Sequence, residues 1–405
     1  MNTRDYWVWL QCALGFGVPT LGLLEQFGDA RAVYEADEAT RRMSGVFTPR
    51  QLQKLRGTST DEAQRVLVLC ERNRWGVLTP ESPEYPELLQ KIDSCPLVLY
   101  YQGEAAIMNS ALPIAMVGTR NSSNTSLHTA YRLAASLSRA KALIVSGGAL
   151  GIDTAAHEGA LRAGGKTVAV LGCGLGTDYL IANHALRENI ARQGVLITEF
   201  PPFYPASQRT FPIRNRIISG MSCGTVVVEA GERSGSLITA GFALEQGREV
   251  FAVPGAAIGS AHTGVNKLIR EGAKPVFCAY DVLEDYALRH PAWVDLDLAE
   301  KTLDAPPETQ LSAASAIPRK KAALPRASKA APPEPPKPNA APVMPEHLDG
   351  SAKRVWEALR ETAMVPDEIA LRTGLSIPEI MAALTELEME GCVTILPGKN
   401  YGLVV

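Results

Sequence analysis

Three kinds of sequence feature are missing from this chain, and each absence excludes a class of protein. The seven cysteines are scattered and form no Cys-x-x-Cys pair, which argues against a disulfide framework and against a zinc site. No apolar run is long enough to span a bilayer. The N-terminus carries no basic and then apolar signal region. We therefore expect a cytoplasmic protein with no membrane association and no bound metal.

A strong excess of positive charge is missing as well. The 405 residues include 40 Lys and Arg against 43 Asp and Glu, for a formal net charge of −3 at pH 7. The protein as a whole would therefore not attract a polyanion, and any anion site must come from a local concentration of donors. The apolar fraction of 46% is ordinary for a globular protein. The length indicates two or three domains.

Composition and pattern divide the chain into four parts. Pro, Ala, Ser and Lys dominate residues 301–347, a composition typical of an extended tether that cannot bury a core. Residues 1–75 are predicted to form a helical domain of the SAM-like or helix-hairpin-helix type. Residues 76–300 are predicted to form an α/β domain, and residues 348–405 a winged-helix domain.

Strands alternate with helices through the predicted α/β domain. Six short apolar runs rich in β-branched residues have the character of strands buried on both faces of a parallel sheet. Helical patterns lie between them, so the sequence predicts a doubly wound, extended Rossmann-like, mainly parallel sheet. The runs are 114–117, 143–145, 167–171, 195–197, 225–228 and 250–253.

The two flanking domains carry little of the chemistry that duplex DNA requires. Few Lys or Arg residues surround the predicted hairpin at 15–19, which leaves phosphate binding, packing and partner docking all open for it. No Lys or Arg occurs between residues 373 and 398, although reading a major groove needs hydrogen-bond donors. We therefore interpret the winged helix as a protein-interaction domain. The acidic residues on its predicted recognition helix are Glu379, Glu386, Glu388 and Glu390.

Glycine-rich turns follow the predicted strands. The carboxyl ends of parallel strands meet at one edge of a sheet, where ligands bind. Glycines let a ligand approach the backbone, and hydroxyls with free amides cradle phosphate oxygens. Four such turns on one edge, together with Arg120, Arg214 and Arg216, indicate an anionic ligand. The turns are 118–123, 146–153, 172–176 and 229–236.

Residues 211–220 combine an aromatic-proline corner, an Arg-Asn-Arg triplet and an apolar helical pattern. Each guanidinium is a planar fork that pairs in two-pronged fashion with phosphate oxygens. A helix N-terminus adds free N–H groups and a partial positive charge at the same place. Phe211 supplies a face on which an unpaired base can stack. This segment therefore favours a phosphate backbone with exposed bases.

A nucleotide cofactor fits these turns poorly. Residues 172–176 are similar to a dinucleotide fingerprint, but Thr177 stands where the third glycine belongs, and no ribose-binding acid follows at the usual interval. No glycine turn is followed by the Gly-Lys-Ser/Thr of a P-loop. We therefore expect no cofactor.

Acidic residues and a histidine at the same edge allow two further interpretations. Asp153 and His157 have the i,i+4 spacing of a metal pair, but without a third ligand we expect Asp153 to cap a helix and His157 to pack. Glu199 and Glu229 act either as acid and base or as acceptors for nearby amides and arginines.

Four motifs taken together resemble the DNA-processing protein A family, also called Smf: residues 146–157, 211–216, 234–240 and 246–255. A helical unit before the α/β domain and a winged helix after it are similar to a common layout of that family. The resemblance implies a single-stranded DNA-binding recombination mediator without sequence preference and without catalytic turnover. It further implies that the protein forms a homodimer, protects incoming DNA and loads the RecA recombinase in natural transformation.

The resemblance also assigns residues to a strand-binding pocket. The sequence departs from the family pattern at Leu150, where a basic residue is frequent, at Thr125–Ser126, which replaces Tyr-Gly, and at Leu180, which replaces proline. Three hydroxyl residues would support the pocket: Ser234, Ser236 and Thr239. The residues that would bind the strand are Arg120, Ser146, Gly147, Gly148, Gly172, Asn183, Arg209, Phe211, Arg214, Asn215 and Arg216.

An enzyme is the alternative from a different class. Nucleotide-cleaving phosphoribohydrolases of the lysine-decarboxylase-like type share the α/β architecture and carry a Pro-Gly-Gly-x-Gly-Thr-x-x-Glu turn after a late strand. Residues 233–239 occupy that place here and contain neither the paired glycines nor the Gly-Thr. A structural scaffold with an empty sheet edge is a third possibility, which the density of arginine and glycine argues against.

Overall fold

The computed structural model divides the chain into two compact units, Met1–Lys320 and Lys321–Val405. Almost all of the predicted linker, 301–347, lies outside the described residues. Those described are 2–179, 181–301, 350–360, 364–389, 392–396 and 400–403.

Short helices form the N-terminal part of the first unit. Several begin at side-chain caps, because a carboxylate or hydroxyl oxygen accepts the otherwise free amides of a first helical turn. Asn2 and Asp5 make a reciprocal capping box at the first helix, and Thr48 and Gln51 make another at the fifth. The helices are α1 Thr3–Leu14, α2 Leu21–Phe27, α3 Ala30–Glu35, α4 Glu38–Met43, α5 Pro49–Gly57 and α6 Thr60–Arg72.

One sheet forms the centre of the first unit, and nine strands belong to it among the described residues. They are β1 Gly76–Leu78, β2 Leu99–Gly103, β3 Pro113–Val117, β4 Leu143–Ser146, β5 Thr167–Val170, β6 Val195–Thr198, β7 Gly224–Val227, β8 Glu249–Ala252 and β9 Lys274–Pro275. Their order is β1-β2-β6-β5-β4-β3-β7-β8-β9. β2 pairs antiparallel with β1 and β6, and the other neighbours are parallel.

Helices cover both faces of this sheet. The strands alternate their side chains between the two faces, so Ala115 and Val117 join one core while Ile114 and Met116 join the other. The predicted doubly wound, mainly parallel sheet is thereby confirmed. The helices are α7 Asn124–Arg139, α8 Ile152–Arg162, α9 His184–Gln193, α10 Thr210–Gly220, α11 Ser236–Glu245, α12 Thr263–Arg270 and α13 Ala279–Arg289.

The N-terminal helices share a hydrophobic core with the sheet. Trp7 and Leu10 of α1 belong to the same buried cluster as Tyr100 of β2 and Leu196 of β6. Gln11 reaches between them, where its Nε2 donates to the carbonyl of Glu199 at 3.0 Å and its Oε1 accepts from the Tyr100 hydroxyl at 2.8 Å. The helical segment is therefore fixed to the α/β domain by both apolar and polar contacts.

The second unit has its own small core. Val355, Trp356, Ile369 and Leu387 are buried in it, and Gly374 ends the second helix in the left-handed conformation, with φ of 67°. This arrangement confirms the predicted winged-helix domain. Its elements are α14 Gly350–Leu359, α15 Pro366–Thr373, α16 Ile377–Met389 and the antiparallel strands β10 Val393–Leu396 and β11 Asn400–Leu403.

The predicted acidity of the recognition helix is visible in part. Glu379 and Glu386 are exposed on α16, whereas the Glu388 side chain and Glu390 lie outside the described residues. In the part of the chain that the structure describes, no helix is both long and apolar enough to cross a membrane.

Candidate nucleic-acid interface

A cleft of about 890 Å³ opens at the carboxyl edge of the sheet. β3 pairs with β4 on one side and β7 on the other, so the strand order reverses there, which is where doubly wound sheets bind ligands. The turns after β3, β4 and β7 and the first residues of α10 and α11 line the cleft. Its lining includes Thr119, Arg120, Asn121, Ala149, Asp153, Phe211, Arg214, Asn215, Arg233, Ser234, Ser236 and Thr239.

Arg120 lies on the rim, over an aromatic ring. Its guanidinium carbon is 4.6 Å from the centroid of Phe211, a cation–π contact. The side chain is exposed and has no ion pair with any described residue. The turn that carries it is fixed because Glu229 accepts from the amide of Ser123 at 3.0 Å and from its hydroxyl at 2.9 Å. Glu229 therefore positions the turn, as an acceptor for local donors.

Buried polar groups stabilise the turn after β4, residues 146–153. The Ser146 hydroxyl donates to the carbonyl of Met116 at 2.6 Å. The Asp153 carboxylate accepts from the amides of Gly147 at 3.2 Å and Ala149 at 3.3 Å, so it anchors this turn. Burial raises the pKa of Asp153, although the charge of Arg214 opposes that rise.

Asn183 and His157 stabilise this turn and the following helix α8 through hydrogen bonds. The Asn183 amide donates to the carbonyl of Gly148 at 3.0 Å and to the Thr154 hydroxyl at 2.9 Å. His157 Nδ1 lies 2.8 Å from the Thr167 hydroxyl, and burial lowers the pKa of His157 to about 3. The described residues contain no group of three His, Cys, Asp or Glu able to hold a metal. Ser146 and Asn183 thus support the turn from inside.

Arg214 connects the carboxyl ends of β4 and β5 through hydrogen bonds. Its Nη1 donates to the carbonyls of Gly147 and Val170, and its Nε donates to Asn215 Oδ1 at 3.1 Å. A Cβ on Gly147 would lie 2.1 Å from that Nη1, so only glycine leaves room for the guanidinium. The side chain is 4% exposed yet lines the cleft. Burial lowers the pKa of Arg214, and nearby Asp153 opposes this. Arg214 therefore shapes the turn that would meet a ligand.

Arg216 does not line the cleft, which corrects the prediction made from the sequence. Its Nη2 pairs with Glu199 Oε1 at 2.7 Å, and both side chains are only 4% exposed. The amide of Gly17 also donates to this oxygen, at 3.3 Å. Residues two apart on a helix point about 200° apart, so Arg214 and Arg216 occupy opposite sides of α10. Arg216 therefore fixes the back of that helix to the N-terminal segment.

Phe211, at the start of α10, places its aromatic ring on the lining of the cleft. It is half-buried, its ring centroid lies 5.4 Å from that of Tyr179, and its edge presses on Gly172, where a Cβ would be 2.8 Å from Cδ1. Gly148 and Gly172 line a small recess beneath the ring. Arg209 is exposed just before α10, outside the lining of the cleft.

Hydroxyl groups line the far side of the cleft at the start of α11. The hydroxyls of Ser234 and Ser236 are 2.8 Å apart, and the Asn215 amide donates to the carbonyl of Gly235 at 3.4 Å. Thr239, which is 1% exposed, lines the base. The cleft thus joins arginine, amide and hydroxyl donors in one open space.

The family model described as DNA recombination-mediator protein A matches residues 76–287, more than half of the chain. The chain belongs to this family. A second model, the DprA winged helix domain, matches residues 329–399.

Relatives that match over most of both chains show the same membership. Protein Smf of Synechocystis sp. is 34% identical over 328 residues, covering 80% of this chain and 79% of the relative. Protein Smf of Escherichia coli is 32% identical over 355 residues, covering 87% and 84%. The X-ray structure of DprA from Streptococcus pneumoniae has a TM-score of 0.62 at 32% identity, and the match covers 70% of this chain and 99% of that one.

Membership of the DprA family does not by itself identify every residue at the cleft. Thr119, Asn121 and Arg233 line it and lie in turns that were predicted, but they were not among the individual residues predicted to bind the strand. Each neighbours a predicted residue in a glycine-containing turn, so the adjacent polar positions were the signal that sequence reasoning passed over. Arg233 is exposed, without an ion-pair partner among the described residues.

Proposed function

We propose that this DprA-family chain binds single-stranded DNA along the cleft. The observation that carries the proposal is Arg120, an exposed arginine without an ionic partner in the described part of the chain, held 4.6 Å above the ring of Phe211. A phosphate that draws the guanidinium off the ring would gain a charge-assisted contact, and the neighbouring base would then gain the uncovered aromatic face. Family membership supports the same ligand.

Single strands suit this site better than a duplex. A stacked and paired base cannot offer its face to Phe211 and Tyr179, whereas an unpaired base can. Contacts to the sugar-phosphate backbone and to base faces also carry no sequence code. The exposed Glu379 and Glu386 on α16 disfavour phosphate approach to the winged helix. We therefore propose binding without sequence preference through the first unit.

The biological role that we propose is the one implied by the family. The chain would act as a homodimer in the cytoplasm, protect incoming single strands and load the RecA recombinase in natural transformation. Its seven cysteines are all free thiols, which accords with a reducing compartment. The acidic winged helix would contact protein and not duplex DNA.

We propose binding without turnover. A nucleotide-cleaving enzyme needs a carboxylate that is free to take or give a proton at the ligand. Two buried carboxylates at this edge are engaged instead, since Asp153 accepts from two turn amides and Glu229 accepts from both donors of Ser123. The exposed Glu232 also lines the cleft, so binding without turnover is supported mainly by family membership. The test is to incubate the protein with nucleoside monophosphates and to monitor the mixture by chromatography. The appearance of a free base would reverse this assignment in favour of the phosphoribohydrolase.

A fluorescence titration of the full chain tests the ligand class directly. Labelled oligo-dT, a mixed-sequence single strand and the matched duplex are compared at low and moderate salt. The proposal expects similar affinity for the two single strands and weaker binding of the duplex. Preference for the duplex, or no binding of any single strand at low salt, would overturn it.

A further inference from the structure

The glycine-rich loop 172–176 supports an aromatic ring at each end. At Gly172 a Cβ would lie 2.8 Å from Cδ1 of Phe211, and at Gly176 it would lie 2.4 Å from Cε1 of Phe203. Contacts this short leave no room for a side chain, so glycine is required where each ring rests. The loop 172–176, whose sequence is similar to a dinucleotide fingerprint, therefore packs against two aromatic rings.

Phe203 is unusual in both backbone and exposure. Its φ is 61°, a left-handed conformation that is unfavourable for a bulky residue. The side chain is nevertheless 53% exposed, with its ring centroid 5.7 Å from that of Trp75 and the planes tilted by 58°. Burial does not account for a strained aromatic residue that is about half exposed, so we look for its role at the surface.

The backbone around Phe203 is rigidly connected to the same loop. The amide of Gly174 donates to the carbonyl of Tyr204 at 2.9 Å, and the amide of Tyr204 donates to the carbonyl of Pro201 at 3.1 Å. The Thr177 hydroxyl donates to the Tyr204 carbonyl at 2.9 Å as well. The exposed ring is therefore presented by a fixed support.

Charge and spacing point to a nucleic-acid strand as the occupant. An exposed arginine is close in sequence to one ring of each aromatic pair, Arg74 next to Trp75 and Arg209 near Phe211, and neither arginine has an ion pair within the described residues. The loop between residues 172 and 176 spans at most ~14 Å even when extended. A single strand held at Phe211 would have further nucleotides within reach of Phe203.

We propose that Phe203 and Trp75 form a second stacking subsite, which takes an unpaired nucleobase of the same strand that the cleft holds. The inference rests on the proposed function, because it extends the path of that strand beyond the cleft. Phe203 would supply the open π-face, Trp75 would hold its ring in place, and the loop 172–176 would set the spacing to Phe211.

Photocrosslinking of the full-length protein tests the contact without any substitution. Oligo-dT strands carrying one 5-iodouracil at successive positions are irradiated in complex, and the attachment sites are mapped by peptide mass spectrometry. We expect one set of positions to attach at Phe211 or Tyr179 and a neighbouring set at Phe203 or Trp75. Attachment confined to Phe211 and Tyr179 would overturn the second subsite.

Matched variants test its contribution to binding. Phe203→Leu keeps apolar bulk but removes the π-face, whereas Phe203→Tyr keeps it. We expect Phe203→Leu to weaken binding of long oligo-dT about tenfold, the order of one base–aromatic stack, with an unchanged salt slope because no phosphate contact is lost. Phe203→Tyr should stay near wild type. Wild-type affinity of Phe203→Leu for every strand length would refute the subsite.

The outcomes separate this inference from the proposed function. If Phe211→Leu weakens binding of strands of every length and Phe203→Leu weakens none, the cleft stands and the second subsite falls. If neither substitution matters and no residue of either ring pair is attached by crosslinking, the binding cleft itself is misassigned. Equal thermal unfolding midpoints of Phe203→Leu and Phe203→Tyr show that the comparison reports the π-face and not a folding defect.

Discussion

Arg216 and Glu199 form a buried ion pair, with 2.7 Å between Nη2 and Oε1 and each side chain 4% exposed. Glu199 Oε2 and the Nε and Nη1 of Arg216 have no other partner among the described residues. Both charges are therefore buried and incompletely hydrogen-bonded, so a single remaining charge would be costly. It joins the back of α10 to Gly17 of the N-terminal segment.

Arg216→Met should destabilise the protein by about 3–5 kcal/mol, because it leaves the Glu199 carboxylate buried and unpaired. The double variant Glu199→Leu with Arg216→Met should recover most of this loss, since both charges are gone. Urea unfolding of the full chain measures both. An unchanged unfolding midpoint for Arg216→Met, accompanied by loss of oligo-dT binding, would return Arg216 to the binding site.

Gly147→Ala should weaken binding of single strands about tenfold or more. Its Cβ would lie 2.1 Å from the Arg214 Nη1, so the guanidinium and the turn after β4 must shift. Gly241→Ala is the matched control, because its Cβ meets nothing within 4 Å in the middle of α11. That variant should bind normally and gain about 0.5–1 kcal/mol of stability. Equal affinity of both variants for oligo-dT would contradict the role assigned to the turn.

Arg214→Ala should weaken mixed-sequence single-strand binding by about 1–3 kcal/mol. The substitution removes a charge beside the cleft and leaves the carbonyls of Gly147 and Val170 without this donor. Arg214→Lys should recover little, because one ammonium cannot donate at the positions of both Nη1 and Nε. Unchanged affinity of Arg214→Ala at low salt would count against the cleft.

His157 should make the protein less stable below neutral pH. Burial, with Arg214 nearby, lowers the pKa of His157 from 6.5 to about 3 in the folded state. The unfolded chain therefore takes up a proton first, and the contribution present above pH 6.5 is lost as pH falls towards 3. The loss is about 2 kcal/mol at pH 5. His157→Asn should lose less stability than wild type between about pH 7.5 and pH 5 in urea unfolding, and identical losses would show that His157 does not titrate this way.

Removal of residues 350–405 should leave single-strand binding nearly intact, because the cleft is built from the first unit alone. Gel shifts with oligo-dT compare the shortened and full chains. Complete loss of binding on truncation would show that the winged-helix domain is needed for binding single strands.

Most of the sheet was predictable because parallel strands buried on both faces have continuous apolar sequences. The run 114–117 differs from β3 by one residue, and the run 225–228 is shifted by one from β7. The edge strands β1 and β9, and β2 beside β1, were not predicted. β1 has three residues and β9 two, and β2 ends in the exposed Gln102 and Gly103, so their patterns carry little signal.

The candidate site was predictable to the level of turns but not of side-chain direction. Glycine turns at the strand ends predicted a site at the carboxyl edge, because parallel strands bring their carboxyl ends together, and the structure has a cleft at that edge. The Arg-Asn-Arg triplet does not say which arginine faces the cleft, since that depends on how α10 packs. The carbonyls that engage Arg214 and the carboxylate that engages Arg216 come from distant segments. Pairings over such separations are set by the tertiary fold.

The salt dependence of oligo-dT affinity in Arg120→Ala tests the central claim most directly, with Arg162→Ala as its control. Arg162 is an exposed arginine at the far end of α8, away from the cleft. The slope of log affinity against log salt counts the phosphates engaged. We expect Arg120→Ala to bind more weakly and to reduce the slope by roughly one phosphate, while Arg162→Ala keeps both. Equal affinities and slopes for the two variants would contradict a phosphate contact at Arg120.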